Sequence, residues 1–229
     1  MQTPRVISLD LDDTLWPVGP VIATAEAELL SWLRLRHPRA VAGHDVDSMR
    51  LLRADVALRH PGRRHDMTFL RRQALAEQFA RAGYGTAHDV AAPEVAEAME
   101  IFLAGRNRVE LYADVRPALR RLRSRYRLFA LSNGNADLKR CGIDELFDGH
   151  VTAEHAGAAK PDARIFSHLL RAAGVEPAEV LHIGDDPLAD VVGASQAGMQ
   201  SVWLNRDAKA WPQQFAAPLR TVSTLAEIL

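Results

Sequence analysis

The chain has 229 residues, 48% of them apolar, and a formal net charge of −1 at pH 7. That composition supports a sizeable core and excludes any general electrostatic pull toward nucleic acid or an anionic membrane. The first residues carry no secretory-leader pattern and no apolar run is long enough to cross a bilayer, so a soluble, cytoplasmic protein is expected.

In chain order the first element is the apolar run Val6-Ile7-Ser8-Leu9, which reads as a short buried strand and leads directly into Asp10-Leu11-Asp12-Asp13-Thr14-Leu15. Alternation along a strand starts Asp10 and Asp12 on the same face. Strand ends of this kind are where open α/β sheets bind ligands. The stretch from here to Arg127 is far longer than a parallel crossover needs, so it must house something else. Apolar residues at spacings of three and four predict helices over Val21 to Leu35, Val46 to Arg59, Met67 to Ala82 and Pro93 to Ala104. Breaks fall at His37-Pro38, His60-Pro61-Gly62 and Gly83-Tyr84-Gly85. Residues 17–105 are therefore expected to form a helical insert within a core made of 1–16 and 106–229.

Beyond the insert, Pro117 to Arg125 predicts a helix, and the strand Arg127 to Leu131 runs into Ser132-Asn133-Gly134-Asn135. A helix near Ala136 to Cys141 and a short strand at His150 to Thr152 follow. Lys160-Pro161-Asp162 then opens an amphipathic helix through about Ala173. Strand Val180 to Ile183 ends in the acidic turn Gly184-Asp185-Asp186-Pro187-Leu188-Ala189-Asp190, with a helix over Leu188 to Ala197 and a strand over Ser201 to Leu204 after it. Alternating strands and helices predict an α/β fold with a parallel sheet, and right-handed crossovers bring the polar turns to one edge. The lone Cys141 has no internal partner and reads as a small buried hydrophobe. The lysines are Lys139, Lys160 and Lys209 in an otherwise arginine-based chain.

Asp10-Leu11-Asp12-Asp13-Thr14, Ser132-Asn133, Lys160-Pro161 and Gly184-Asp185-Asp186 with Asp190 resemble, in order and context, the four motifs of the haloacid dehalogenase-like (HAD) hydrolases. The resemblance implies a Rossmann-like parallel-sheet core with an inserted all-helical cap domain of type 1. It also implies a phosphatase with Asp10 as nucleophile, Asp12 as proton donor and then base, and Ser132, the Asn133 N–H and Lys160 on the phosphate. By the family pattern Mg²⁺ would be held by the Asp10 carboxylate, the Asp12 carbonyl and Asp185, with Asp186 and Asp190 as second choices. Hard oxygen donors suit that ion. The competing role for Asp186 and Asp190 is helix capping ahead of Pro187.

Within the family, Asp12 argues against a dehalogenase, which has no use for a second aspartate two residues on, and the lysine-free insert argues against a phosphonatase. A phosphomutase and a non-catalytic metabolite-binding protein remain as alternatives. The expected substrate is a small phosphorylated metabolite taken by a monomer or homodimer. The core motifs are most similar to those of bacterial phosphatases that include flavin-pathway enzymes acting on a ribitylaminouracil phosphate. Arg50, Arg53, Arg59, Arg63, Arg64, Arg71 and Arg72 face only Asp55 and Asp66 in sequence, and a solvated helix face outweighs an anion-recruiting patch. Trp16 is expected to pack rather than stack on a ligand.

Overall fold

The computed structural model describes residues 3–87 and 89–228. By its contacts the chain divides into two compact units, Met1–Pro17 with Glu110–Leu229, and Val18–Val109. Among the described residues no helix is long and apolar enough to cross a membrane.

The first unit opens on β1 (Val6–Leu9), whose four residues are all buried. The second unit follows and holds α1 (Val18–Arg36), α2 (Val46–Arg59), α3 (Met67–Arg81) and α4 (Pro93–Arg106). Three of these starts have a local cause. Asp45 and Ser48 form a reciprocal capping box at α2, Asp66 accepts the Phe69 N–H at α3, and α4 starts on Pro93, where the missing N–H costs nothing. Ala25, Leu29, Leu33, Leu75, Phe79, Met99 and Phe102 close one apolar core between the helices.

The chain then returns through α5 (Val115–Arg123) to β2 (Arg127–Ser132), β3 (Gly149–Thr152), α6 (Ala153–Ala156), α7 (Ala163–Ala173), β4 (Val180–Gly184), α8 (Gly193–Gln196), β5 (Gln200–Leu204) and β6 (Thr221–Val222). The six strands form one parallel sheet in the order β3-β2-β1-β4-β5-β6. The parallel α/β class expected from the strand–helix alternation, and the Rossmann-like core that the family resemblance implied, are what the chain adopts. Leu9 pairs with Ala130 on one side and Ile183 on the other, so the chain past β1, the end of β2 and the end of β4 reach the same edge together. Under the sheet, Val6, Phe129, Leu131, Val151, Ile165, Phe166, Leu169 and Val180 form the core.

Three local expectations change. No helix forms over Ala136 to Cys141. The Asp137 side chain accepts the Lys139 and Arg140 N–H groups and Gly142, at φ 67, ends a single turn, leaving Cys141 half-buried. The helix expected from Leu188 divides into a wide π-type turn over Pro187–Val192 and the short α8. Strand β6 carries too few residues for any periodic signal.

Candidate active site

Asp10 continues β1, its N–H bonded to the Ile183 carbonyl at 2.9 Å, and its side chain is buried. Lys160 meets it from the loop ahead of α7. All three Nζ protons have acceptors, at 2.5 Å on Asp10 Oδ1, 2.7 Å on Asp190 Oδ1 and 2.7 Å on the Leu131 carbonyl. The Asn133 side chain fixes the Lys160 backbone from both sides, accepting its N–H at 2.7 Å and donating to its carbonyl at 3.0 Å. This amide clamp is a further role for Asn133 beside the backbone N–H named from its sequence.

Behind Asp190 lies a buried polar chain that the motifs do not include. His182 Nε2 is 3.1 Å from Asp190 Oδ1, and its Nδ1 is 2.8 Å from Ser8 Oγ. Burial holds the His182 imidazole below its ordinary value, and with a carboxylate facing Nε2 and a hydroxyl facing Nδ1 a neutral ring can donate to Asp190 and accept from Ser8. The signal in the sequence was one polar residue in each of two apolar strands. Ser8 and His182 are register partners, and buried polar groups in a sheet need each other. Asp190 Oδ2 accepts the Asp186 N–H at 3.0 Å. Asp190 approaches so closely that a Cβ on Gly184 would lie 2.2 Å from its Cγ, which requires glycine at the end of β4.

Asp185 accepts the Thr14 hydroxyl at 3.3 Å on Oδ1, while its carbonyl takes the Trp203 indole N–H at 2.8 Å. Oxygens of Asp10, Asp185 and Asp190 lie within 4.8 Å of one another. Asp186 caps the following turn through the Leu188 and Ala189 N–H groups, the alternative role weighed for it. The Asp12 side chain accepts the Trp16 indole N–H at 2.9 Å, and Trp16 is fully buried. Asp13 takes φ 58, a left-handed turn conformation that aspartate tolerates better than most side chains. Ser132 is buried at the end of β2 and accepts the Gly134 N–H at 2.9 Å.

Two carboxylates, Asp10 and Asp190, therefore share one ammonium, and a third, Asp185, crowds beside them. Burial, only partly offset by Lys160 and reinforced by Asp190 and Asp185, pushes Asp10 well above the ordinary carboxyl range. Burial, then Asp190 and Asp13, push Asp185 up to about 7. Burial alone would also raise Asp190, but Lys160 and His182 outweigh it and hold that group ionised below the ordinary range. Burial would lower Lys160, and Asp10 and Asp190 hold it above the ordinary lysine range instead. Excess negative charge on hard oxygens fits a divalent cation. Asp190 spends both oxygens on Lys160, His182 and the Asp186 amide, whereas the hydrogen bonds of Asp10 and Asp185 run through Oδ1. The donor set thus favours Asp10 and Asp185 as carboxylate ligands.

A stability prediction follows from the raised carboxyls. A proton held more tightly in the folded state contributes stability that is complete below the unfolded value near 3.8 and lost as pH rises through about 7. His150, held near 4 by burial, works the other way, but its contribution is complete above the ordinary histidine value of 6.5. In EDTA the melting temperature is expected to fall by several degrees from about pH 6.5 to about pH 8, and Mg²⁺ is expected to remove the fall. Differential scanning fluorimetry reads this directly, and a rise across that window would refute it.

Five of the seven clustered arginines pair with carboxylates, while Arg64 and Arg72 bond the Ala57 and Val90 carbonyls. Arg50, Arg53 and Arg71 converge on Glu26 at 2.7, 3.1 and 3.3 Å, Arg59 reaches Glu77 at 2.8 Å, and Arg63 reaches Asp66 at 2.6 Å. Glu26 and Glu77 lie outside the sequence window in which the arginines cluster, so their pairings were invisible there.

A family profile for haloacid dehalogenase-like hydrolases matches residues 4–198. The 5-amino-6-(5-phospho-D-ribitylamino)uracil phosphatase YigB of Escherichia coli (strain K12) is 31% identical over 198 residues, 86% of this chain and 82% of that protein. A phosphoserine phosphatase of Thermus thermophilus is 38% identical over 150 residues, 60% of each chain. The crystal structure of a 2-haloacid dehalogenase from Pseudomonas syringae superposes with a TM-score of 0.92 at 34% identity, covering 99% of this chain and 96% of that one. With a matched profile across most of its length and phosphatases among its curated relatives, the chain belongs to the haloacid dehalogenase-like hydrolases and, within them, to the phosphatases.

Proposed function

We propose that the protein is a Mg²⁺-dependent phosphomonoesterase that passes the phosphoryl group through Asp10. The observation that carries this reading is the buried Asp10 carboxylate gripped by Lys160 and lying within 4.8 Å of Asp185 and Asp190. Bound by the Asp10 and Asp185 carboxylates and the Asp12 carbonyl, Mg²⁺ would offset the negative charge that a phosphate brings beside the nucleophile.

In the first step an Asp10 oxygen attacks phosphorus and the ester P–O bond breaks. Asp12 gives its proton to the departing oxygen. In the second step Asp12 takes a proton from water, the hydroxide oxygen attacks phosphorus, and the bond to Asp10 breaks to release inorganic phosphate. Lys160 keeps its charge throughout and neutralises the crowded oxygens. The Ser132 hydroxyl and the Asn133 N–H bind the transferring group, so that catalysis rests on positioning and charge. The Val18–Val109 unit is the cap that selects the substrate, a small phosphorylated metabolite. The ribitylaminouracil phosphate of the Escherichia coli relative is the first to test. The protein works as a cytoplasmic monomer or homodimer.

The dehalogenase reading raised by the Pseudomonas syringae structure leaves Asp12 and the raised Asp185 carboxyl without a task. A phosphomutase shares Asp10 and would return the phosphoryl group to a second hydroxyl. The deciding assay measures phosphate release from p-nitrophenyl phosphate and a metabolite panel, with Mg²⁺ and with EDTA, beside chloride release from 2-chloropropionate. Metal-dependent phosphate release is expected. Chloride release, or phosphoryl transfer without free phosphate, would overturn the reading.

A further inference from the structure

Arg206, just past β5, belongs to none of the motifs, yet it touches the turn that follows the nucleophile. Its Nε donates to the Thr14 carbonyl at 3.0 Å. Both terminal nitrogens bond the two oxygens of Asp114 at 3.1 Å each, and the guanidinium lies 4.1 Å above the Tyr112 ring. The pair is largely buried, with side chains 12% and 17% exposed. Asp114 Oδ2 also accepts the Leu225 N–H at 2.7 Å, and the Tyr112 N–H bonds the Leu15 carbonyl at 3.0 Å. On its own side, Arg206 is held by a turn that Asn205 closes, its amide accepting the Lys209 N–H and donating to the Lys209 carbonyl.

The turn so gripped has bonds of its own, the Asp13 N–H on the Trp16 carbonyl at 2.8 Å and the Leu15 N–H on the Leu11 carbonyl at 2.7 Å, and Arg206 adds the anchor on the Thr14 carbonyl between them. Asp13 sits at φ 58, in the left-handed region that aspartate visits more readily than most side chains. Thr14 then has two jobs, its hydroxyl on Asp185 and its carbonyl on Arg206. Moving the peptide of Thr14 moves its hydroxyl, and with it the support of Asp185, while Asp12 stands two residues upstream. A bidentate, ring-backed guanidinium is a rigid anchor that lysine does not reproduce.

We propose that Arg206 is a positioning residue, which through Asp114 and Tyr112 locks the Asp12–Leu15 turn so that Asp12 and the Thr14–Asp185 pair keep their working geometry. The proposal rests on the phosphatase reading for its kinetics and on the carboxylate cluster alone for its metal affinity, so two readouts separate the failures.

The test compares wild type with Arg206→Lys, Arg206→Gln and Asp114→Asn. It measures kcat and KM on p-nitrophenyl phosphate well below the melting range, and Mn²⁺ affinity by calorimetry on metal-free protein. Each variant is expected to lose about 30- to 100-fold in kcat with KM changed less than about threefold, because misplacing reacting groups by about an ångström costs about that much. Mn²⁺ affinity is expected to fall about tenfold, and the Arg206→Lys, Asp114→Asn double variant is expected to be no worse than the poorer single one. Folded variants with kcat and Mn²⁺ affinity within twofold of wild type would overturn the proposal, whatever their melting temperatures, and so would full rescue by lysine. Weakened Mn²⁺ binding in variants of a wild type without phosphatase turnover would support the clamp and reject the phosphatase reading. Should the Arg206 variants fail to fold, Tyr112→Leu removes the ring beneath the guanidinium and is read by the same two measurements.

Discussion

Asp10→Asn is expected to lower kcat on p-nitrophenyl phosphate by at least about four orders of magnitude, the scale of loss when a covalent nucleophile is removed. The same substitution is expected to leave the melting temperature in EDTA unchanged or higher. Asparagine is nearly isosteric and keeps an oxygen to accept from Lys160. It also removes one of three carboxylates crowded within 4.8 Å, and the one that burial pushes well above its ordinary pKa. Lys160 stays paired with Asp190 at 2.7 Å. Kinetics and fluorimetry on one preparation separate lost chemistry from lost structure, and residual turnover within tenfold of wild type would remove Asp10 from the nucleophile's role.

Lys160→Met should do the opposite to stability. It strands Asp10 and Asp190 in a buried site, and breaking a buried pair from one side costs about 3–5 kcal/mol. In a chain of 229 residues that is about 10 °C of melting temperature. Turnover should fall by about a thousandfold as the charge facing the phosphate disappears. The sign of the pH dependence follows from the shifts. Asp190, held low, contributes above the ordinary carboxyl range, and Lys160, held high, contributes below the ordinary lysine range. The gap between wild type and variant is therefore widest from neutral to mildly alkaline pH. It narrows on acidification, as the stranded carboxylates of the variant take up protons. A gap that widened below pH 5 would contradict the arrangement.

What the sequence disclosed about this site was whatever depends on strand ends. Asp10, Ser132 and Asp185 stand where apolar runs stop, and a parallel sheet brings such ends together without any knowledge of side-chain pairing. The helices over Val46–Arg59 and Met67–Arg81 were legible for a similar reason, because periodicity and an aspartate cap are both local. The Ser8–His182–Asp190 chain was not, since it exists only once β1 and β4 are in register. Nor was the choice between Asp186 and Asp190, two acids four residues apart. The π-type turn after Pro187 sends one to its own cap and the other inward to Lys160. The helix expected near Ala136 to Cys141 failed in the other direction, because the Asp137 side chain captures two backbone N–H groups and so competes with a helix.

The sheet order has a consequence for how the molecule comes into being. The amino-terminal strand lies in the middle, and its neighbours begin at Arg127 and Val180. On a ribosome, Val6–Leu9 must wait with both edges open while the whole helical unit is made, and that unit has its own core and can fold first. Closing such distant pairings is the slow part of folding. Since Asp10 meets Lys160 and Asp190 only once β1 has been enclosed, the cluster of carboxylates around that lysine assembles late, long after most of the helices have been made.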